Sequence, residues 1–448
     1  MLALKDDKDQ VRAFIVDHEF KSNGVFQSTR IVVEMALCEA KRDGGLALGE
    51  LDLSRLMTKA AALFLNGGYS DAIRWDLMKP ELRITPLGDV HANFDFIDGI
   101  VEPHSLAAKK IQVDSAIKRY PKYLEAAPYV KAEDSTEIDL QFFAAWEEQY
   151  GANFDNARAF VEHIENVGHA QESLVINLNR SEFGKFVVEG HELSQDTVST
   201  LFGKLTLKVR DSWRELPTGF AERDLRLWLM RCDLSFIRRP ILQMDIGGDP
   251  ELIVAPAMLR DTIAYCFSNL IDGSFPENQL CPKMKAWEHK IEGERGSEFS
   301  TEIAAILEAE GWTVETEIKP TKILHKGLGK DFGDIDVFAW NANKIRIIAM
   351  ECKDVQFRKT LGEMAQQVAD FRAIDRENGK PDYLKRHLMR MDVLNNNVDA
   401  VSAYVGFEAK GCIESHLMFR YPVPVEHTLR PMVDKVTVKN AMIIGDIL

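Results

Sequence analysis

Asp336, Glu351 and Lys353 carry the strongest chemical signal in the sequence. Asp336 lies in Gly333-Asp334-Ile335-Asp336-Val337-Phe338-Ala339-Trp340. The other two close the run Lys344-Ile345-Arg346-Ile347-Ile348-Ala349-Met350-Glu351-Cys352-Lys353. Both runs are rich in β-branched and aromatic residues and read as strands. Side chains two apart on a strand share a face, so Glu351 and Lys353 point together. Two carboxylates that share a divalent ion, with a lysine beside them, are a minimal kit for hydrolysing a phosphodiester. The ion polarises the phosphate and acidifies a water, and the lysine orients that water or offsets developing charge. Asp336 and Glu351 are therefore the expected ligands of Mg²⁺, for which Mn²⁺ would substitute. The backbone carbonyl of Cys352 is a further donor, and Lys353 is the cationic partner.

The turn at Asn341-Ala342-Asn343 folds one strand back on the other and brings Asp336 and Glu351 together at the far end. The apolar flanks, Ile335, Val337 and Phe338 against Ile345, Ile347, Ile348 and Met350, mark both strands as buried. Buried charges need partners, and a divalent cation supplies one. Other acid-x-Lys triplets, such as Glu317-Ile318-Lys319 and Glu408-Ala409-Lys410, lack this setting.

Around the strands, Phe299, Ile303, Ile306 and Leu307 have helical spacing, with Gly311 as the stop. Trp312 to Ile318 alternates as a strand. Leu361, Met364, Ala365, Val368 and Phe371 mark a second helix, and Ala400 to Phe407 reads as a last strand. The order is αβββαβ. Between the first two strands runs a basic loop with Lys319, Lys322, His325, Lys326 and Lys330. Lys326, Lys330, Arg358 and Lys359 are candidate phosphate contacts.

These pieces resemble the PD-(D/E)XK, or restriction-endonuclease-like, nuclease superfamily, in particular Mrr-type restriction and archaeal Holliday-junction resolvase domains. The resemblance rests on Gly296-Ser297-Glu298-Phe299, Leu307-Glu308-Ala309-Glu310-Gly311-Trp312, Gly333-Asp334-Ile335-Asp336 and Glu351-Cys352-Lys353, and covers about a third of the chain. It implies a mixed four-stranded core flanked by helices and Mg²⁺-dependent endonucleolytic cleavage of DNA, in restriction, phage defence or DNA repair. Such domains often place a metal-supporting glutamate directly after the helix phenylalanine, where this chain has Ser300. Glu298 and Glu302 lie four apart on one helix face and either would substitute, Glu302 being preferred. Asp334 is expected to support the site from behind its ligands. In several relatives a polar residue on the following helix faces the site; here Gln367 or Gln366 takes that place. The missing glutamate leaves a second expectation open, a catalytically inactive nuclease-fold module that binds nucleic acid or protein.

The 448 residues imply an α+β or α/β chain of several domains. We expect a mixed α/β region over 1–110, a mainly helical region over 111–290 with a hairpin near 240–257, and the nuclease-like domain over 291–448. The net charge of −15 argues against indiscriminate coating of nucleic acid. From residue 291 onward the balance is milder, 21 basic against 25 acidic residues. Six scattered cysteines without a Cys-x-x-Cys pair, no long apolar run and no apolar leader point to a cytoplasmic protein without a membrane partner. The first 290 residues would recognise a substrate or partner protein, or form a homo-oligomer. Gly88-Asp89-Val90-His91 imitates a metallophosphoesterase motif, but the further blocks of that two-metal site are missing from the sequence.

Overall fold

The computed structural model describes residues 8–41, 45, 47–75, 78–79, 82–88, 90–92, 95, 97–105, 140–183, 193–244, 248–271, 273, 275–355, 358, 360–376, 379–427 and 436–440. The chain opens with two long helices, α1 (Lys8–Glu39) and α2 (Glu50–Arg74), and a short antiparallel ribbon, β1 (Leu82–Ile84) with β2 (Val90–Ala92). It divides into two compact units, residues 1–67 with 117–291 and residues 68–116 with 292–448. The segment 68–116 groups with the C-terminal residues. No described helix is long and apolar enough to cross a membrane.

In the first unit, helices α3 (Leu140–Tyr150), α4 (Phe154–Ala170), α5 (Gln195–Leu205) and α6 (Pro256–Ile271) accompany four strands. These are β3 (Ile176–Asn179), β4 (Thr206–Lys208), β5 (Ile241–Met244) and β6 (Glu251–Val254), in the order β3-β6-β5-β4. The expected hairpin is β5 with β6, Ile241 lying opposite Val254, and it forms the middle of this sheet. Helix α5 ends at Leu205, and Thr206-Leu207-Lys208 pairs in parallel with β5. Phe142, Trp146, Phe160, Phe183 and Ile164 fill the core. Burying each such side chain contributes roughly 1.5–3 kcal/mol.

In the second unit, helix α7 (Pro282–Ala309), which begins in the first, leads into a mixed sheet of five described strands. Its strands are β7 (Thr313–Ile318), β8 (Ile335–Asn341), β9 (Arg346–Lys353), β10 (Ile413–Phe419) and β11 (Thr437–Asn440), in the order β11-β10-β9-β8-β7. Gly311, at φ +81°, stops α7, and the Trp312 N–H turns back to the Leu307 carbonyl. A four-residue turn of helix, α8 (Pro320–Ile323), follows β7. β7, β8 and β9 form an antiparallel meander, whereas β10 runs parallel to β9 and β11 parallel to β10. A parallel neighbour needs a crossover. It is supplied by α9 (Leu361–Ala369), α10 (Tyr383–Asn395) and α11 (Val398–Val405).

Alternation along β8 and β9 sorts the two faces. Val337, Ala339, Ile348, Met350 and Cys352 pack under Phe299, Ile303 and Leu307 of α7. Ile335, Phe338, Ile347 and Ala349 pack under Met391 and Leu394 of α10 and Val401 and Val405 of α11. The last expected strand, Ala400 to Phe407, is therefore a helix. Its valines at 398, 401 and 405 have strand-like side chains but helical spacing, and Gly406 at φ +82° ends it. The true fourth strand is β10. The segment from residue 68 packs against α9, Ala72 and Met78 lying on Ala365.

Candidate functional site

The site is built where β8 and β9 end. Val337 lies opposite Met350 and Asn341 opposite Arg346, and the Asn341 side chain accepts hydrogen bonds from the Asn343 and Lys344 N–H groups to close the turn. Counting back from that turn carries Asp336 and Glu351 to the remote end. The Cys352 N–H donates to Asp336 Oδ2 at 2.7 Å, which fixes the aspartate across the strand pair. Lys353 Nζ lies 2.7 Å from Glu351 Oε1 and 3.8 Å from Asp336 Oδ2. The structure thus brings Asp336, Glu351 and Lys353 into one ion-paired group.

A fourth member comes from α10. Arg390 Nη2 lies 2.5 Å from Glu351 Oε2, and its Nη1 donates to the Asp334 carbonyl. Both side chains of the Arg390–Glu351 pair are almost wholly buried (5% and 6% exposed), so this interaction is screened little by solvent. His387, one turn earlier on α10, is buried beside them and shares a 2.9 Å hydrogen bond with Ser415. Asp382 places the helix. Fully buried at its N-cap, it accepts from the Lys385 N–H through Oδ1 and from the Arg372 and Ile374 N–H groups through Oδ2. The Lys353 ammonium lies 5.5 Å from the centroid of the Tyr383 ring.

These contacts separate the two carboxylates electrostatically. Burial, then repulsion from Glu351, pushes the Asp336 carboxyl up to about 6, against the pull of Lys353. Burial opposes ionisation of Glu351 too, but Lys353 and Arg390 outweigh it and hold this carboxyl below its usual range. Burial alone would discharge Lys353, yet Glu351 and Asp336 raise its proton affinity and keep it cationic. His387 is pushed down to about 4 by burial and is neutral at pH 7.

The donor set fits a divalent ion in charge and atom type. Burial and the neighbouring Glu351 hold the proton on Asp336 against the pull of Lys353, and carboxylate oxygens are the donors that Mg²⁺ takes. Asp334 Oδ1, two residues before, is buried without a hydrogen-bond partner. Among the described residues no group of three or more His, Cys, Asp and Glu side chains is gathered for a metal. An ion at Asp336 and Glu351 would complete its shell with backbone and water oxygens, as Mg²⁺ commonly does.

The helix-borne carboxylates lie elsewhere. Glu302 receives Arg420 Nη1 at 2.9 and 3.1 Å, and Glu298 lies 4.0 Å from the same guanidinium. Arg420 follows β10 and also pairs with Asp354 at 3.0 Å. The helix that carries both glutamates covers the sheet face opposite Asp336, and Ser300 bonds back to the Gly296 carbonyl. Gln367 is buried on α9 and Gln366 is exposed. Lys326 and Lys330 are exposed on the loop before β8. Arg358 is half-buried, and burial raises the Asp370 carboxyl against the pull of Arg376 and then Arg358. Lys359 and Asp89 lie outside the described residues, and His91 pairs with Arg83 in the short ribbon.

Sequence reasoning missed Arg390, His387 and Asp382. The signal was there: Asp382 follows a proline, and Leu384, His387, Met391 and Leu394 repeat at helical spacing. Residues 1–442 match a family model described as Upx-like, anti-phage protein Upx-like. No curated protein and no solved structure matches the chain.

Proposed function

From the premise that this chain belongs to the Upx-like family of anti-phage proteins, we propose that its second unit is a restriction-endonuclease-like module that cleaves DNA in phage defence. The observation that supports this reading best is the convergence of Asp336, Glu351 and Lys353 at the end of a buried antiparallel pair. A parallel fourth strand beside β9 and helices on both faces suit the same architecture.

A bound Mg²⁺ supplies polarisation of the phosphate and a water of lowered pKa. Asp336 and Glu351 would hold it. Lys353 stays protonated and is therefore an electrostatic partner for a phosphate oxygen rather than a base. Arg390 acts through Glu351: it fixes one carboxylate oxygen and leaves the other to Lys353. The first unit would recognise DNA or a partner protein.

A second reading is favoured by one observation. Both oxygens of Glu351 are already paired, and Glu298 and Glu302 are held by Arg420. On that reading the module binds DNA or protein without cutting. The two readings part in an assay of linear, circular and branched DNA with Mg²⁺ or Mn²⁺. Metal-dependent cleavage that disappears in Asp336→Ala and Lys353→Ala supports the nuclease. Metal-independent binding without cleavage, unchanged in Glu351→Gln, supports the binding module.

A further inference from the structure

The loop that leads into β8 encloses a cleft of about 340 Å³, lined by Lys319, Pro320, Leu328, Lys330, Phe332 and Gly333. Ligand pockets run from roughly 300 to 1,000 Å³, so this one suits a single small unit and not a duplex. Its walls combine apolar surface with positive charge. Pro320 is buried, Leu328 and Phe332 are half-buried, and Lys319 and Lys330 are exposed at the rim. The Lys330 ammonium lies 5.6 Å from the centroid of the Phe332 ring. Residues 319–333 hold four lysines against the single acid Asp331, in a chain whose net charge is −15.

The backbone presents that ring by design. Gly329 and Gly333 sit at φ +68° and +75°, values that a side-chain-bearing residue resists, so the loop bends sharply on both sides of Phe332. Asp331 Oδ1 accepts from the Gly333 N–H at 2.9 Å and fixes the second bend. The cleft also adjoins the charged group. Gly333 precedes Asp334, whose carbonyl receives the Arg390 guanidinium that binds Glu351.

We propose that this cleft receives one unpaired nucleotide of DNA, its base against Phe332 and its phosphate between Lys319 and Lys330, and so directs the site to single-stranded tails or flaps. The proposal rests on the reading of the second unit as a DNA-processing module. Base pairing leaves each base stacked within the duplex, so only an unpaired base offers its face to an aromatic ring. Such stacking is sequence-tolerant, and the lysines add an attraction that weakens with salt.

The test is binding in EDTA of labelled duplex DNA with and without a single-stranded tail, using the full chain. A 2-aminopurine in the tail reports stacking through its quenched fluorescence. We expect the tailed duplex to bind about tenfold more tightly than the blunt one. Phe332→Ala should lose that preference and the quenching, Phe332→Tyr should keep both, and Lys330→Gln should lower affinity and its salt dependence. An equal affinity of wild type for both duplexes, or an unchanged preference in Phe332→Ala with an unchanged melting temperature, overturns the proposal. Asp336→Ala separates it from the nuclease reading, because tail binding in EDTA should survive there whether or not wild type cleaves DNA.

Discussion

Arg390 reaches from its helix to close a 2.5 Å ion pair with Glu351, and the same guanidinium donates to the Asp334 carbonyl. One side chain therefore ties α10 to β9 and to the residue that leads into β8. Removing one partner of a buried ion pair leaves a desolvated charge and costs roughly 3–5 kcal/mol. Glu351 keeps Lys353, so Arg390→Met is expected at the low end, about 3 kcal/mol, by urea unfolding. A loss below about 1 kcal/mol would show that the pair does not hold the helix.

Asp336 gives the protein a pH signature. Its folded pKa is raised to about 6, so the folded state binds a proton more tightly than the unfolded chain. The stability this group contributes is complete below about pH 4 and is lost as pH rises through about 6. Asp336→Asn removes that loss. Relative to wild type, the variant should gain roughly 1–3 kcal/mol between about pH 4 and pH 7. The opposite slope would mean that Asp336 is fully neutralised by Lys353.

Divalent metal should act on the same carboxylate. Millimolar Mg²⁺ is expected to raise the melting temperature near pH 7.5 and to do so much less near pH 5, where Asp336 is protonated. Asp336→Asn and Glu351→Gln should abolish the shift. Calorimetry settles the point without any cleavage assay.

The strand-borne Lys353 and the helix-borne Glu302 should differ kinetically. Lys353→Gln is expected to lower metal-dependent cleavage by at least about a hundredfold, the usual loss for a preorganised charge at a reacting centre. Lys353→Arg should recover part of it. Glu302→Gln breaks its contact with Arg420, on the other face of the sheet, and should change the rate less than about fivefold. Comparable losses in both variants would place Glu302 at the metal.

Gly68 offers a packing test. A Cβ there would lie 2.6 Å from Leu361 Cβ, where α2 meets α9. Gly68→Ala should cost roughly 1–3 kcal/mol by overpacking, although alanine is the better helix former. Leu361→Ala keeps the Cβ that Gly68→Ala meets, so pairing the two should recover little of that loss.

The site was legible in the sequence as far as it is local. Alternation and a turn at Asn341–Asn343 are enough to bring Asp336 near Glu351, because the strands are adjacent in sequence and buried. The face that α7 covers was not legible, since helical spacing reveals a stripe but not which side of a sheet it meets. Glu302 was therefore assigned to the pair while its contact is Arg420. Arg390 lies 39 residues from Glu351 and no spacing rule spans that distance. Ala400 to Phe407 reads as a strand because valine favours strands by side-chain shape, and the packing of α11 on the sheet outweighs that preference.

The buried cap at Asp382 has a wider consequence. It sets where α10 begins, and eight residues on, about 12 Å along the axis, Arg390 arrives at Glu351. A nascent chain in which β8 and β9 have paired but α10 has not docked would carry the two carboxylates with Lys353 alone. The charge pattern at the strand ends is thus a property of the docked tertiary structure, and a chain in which α10 has not docked does not possess it.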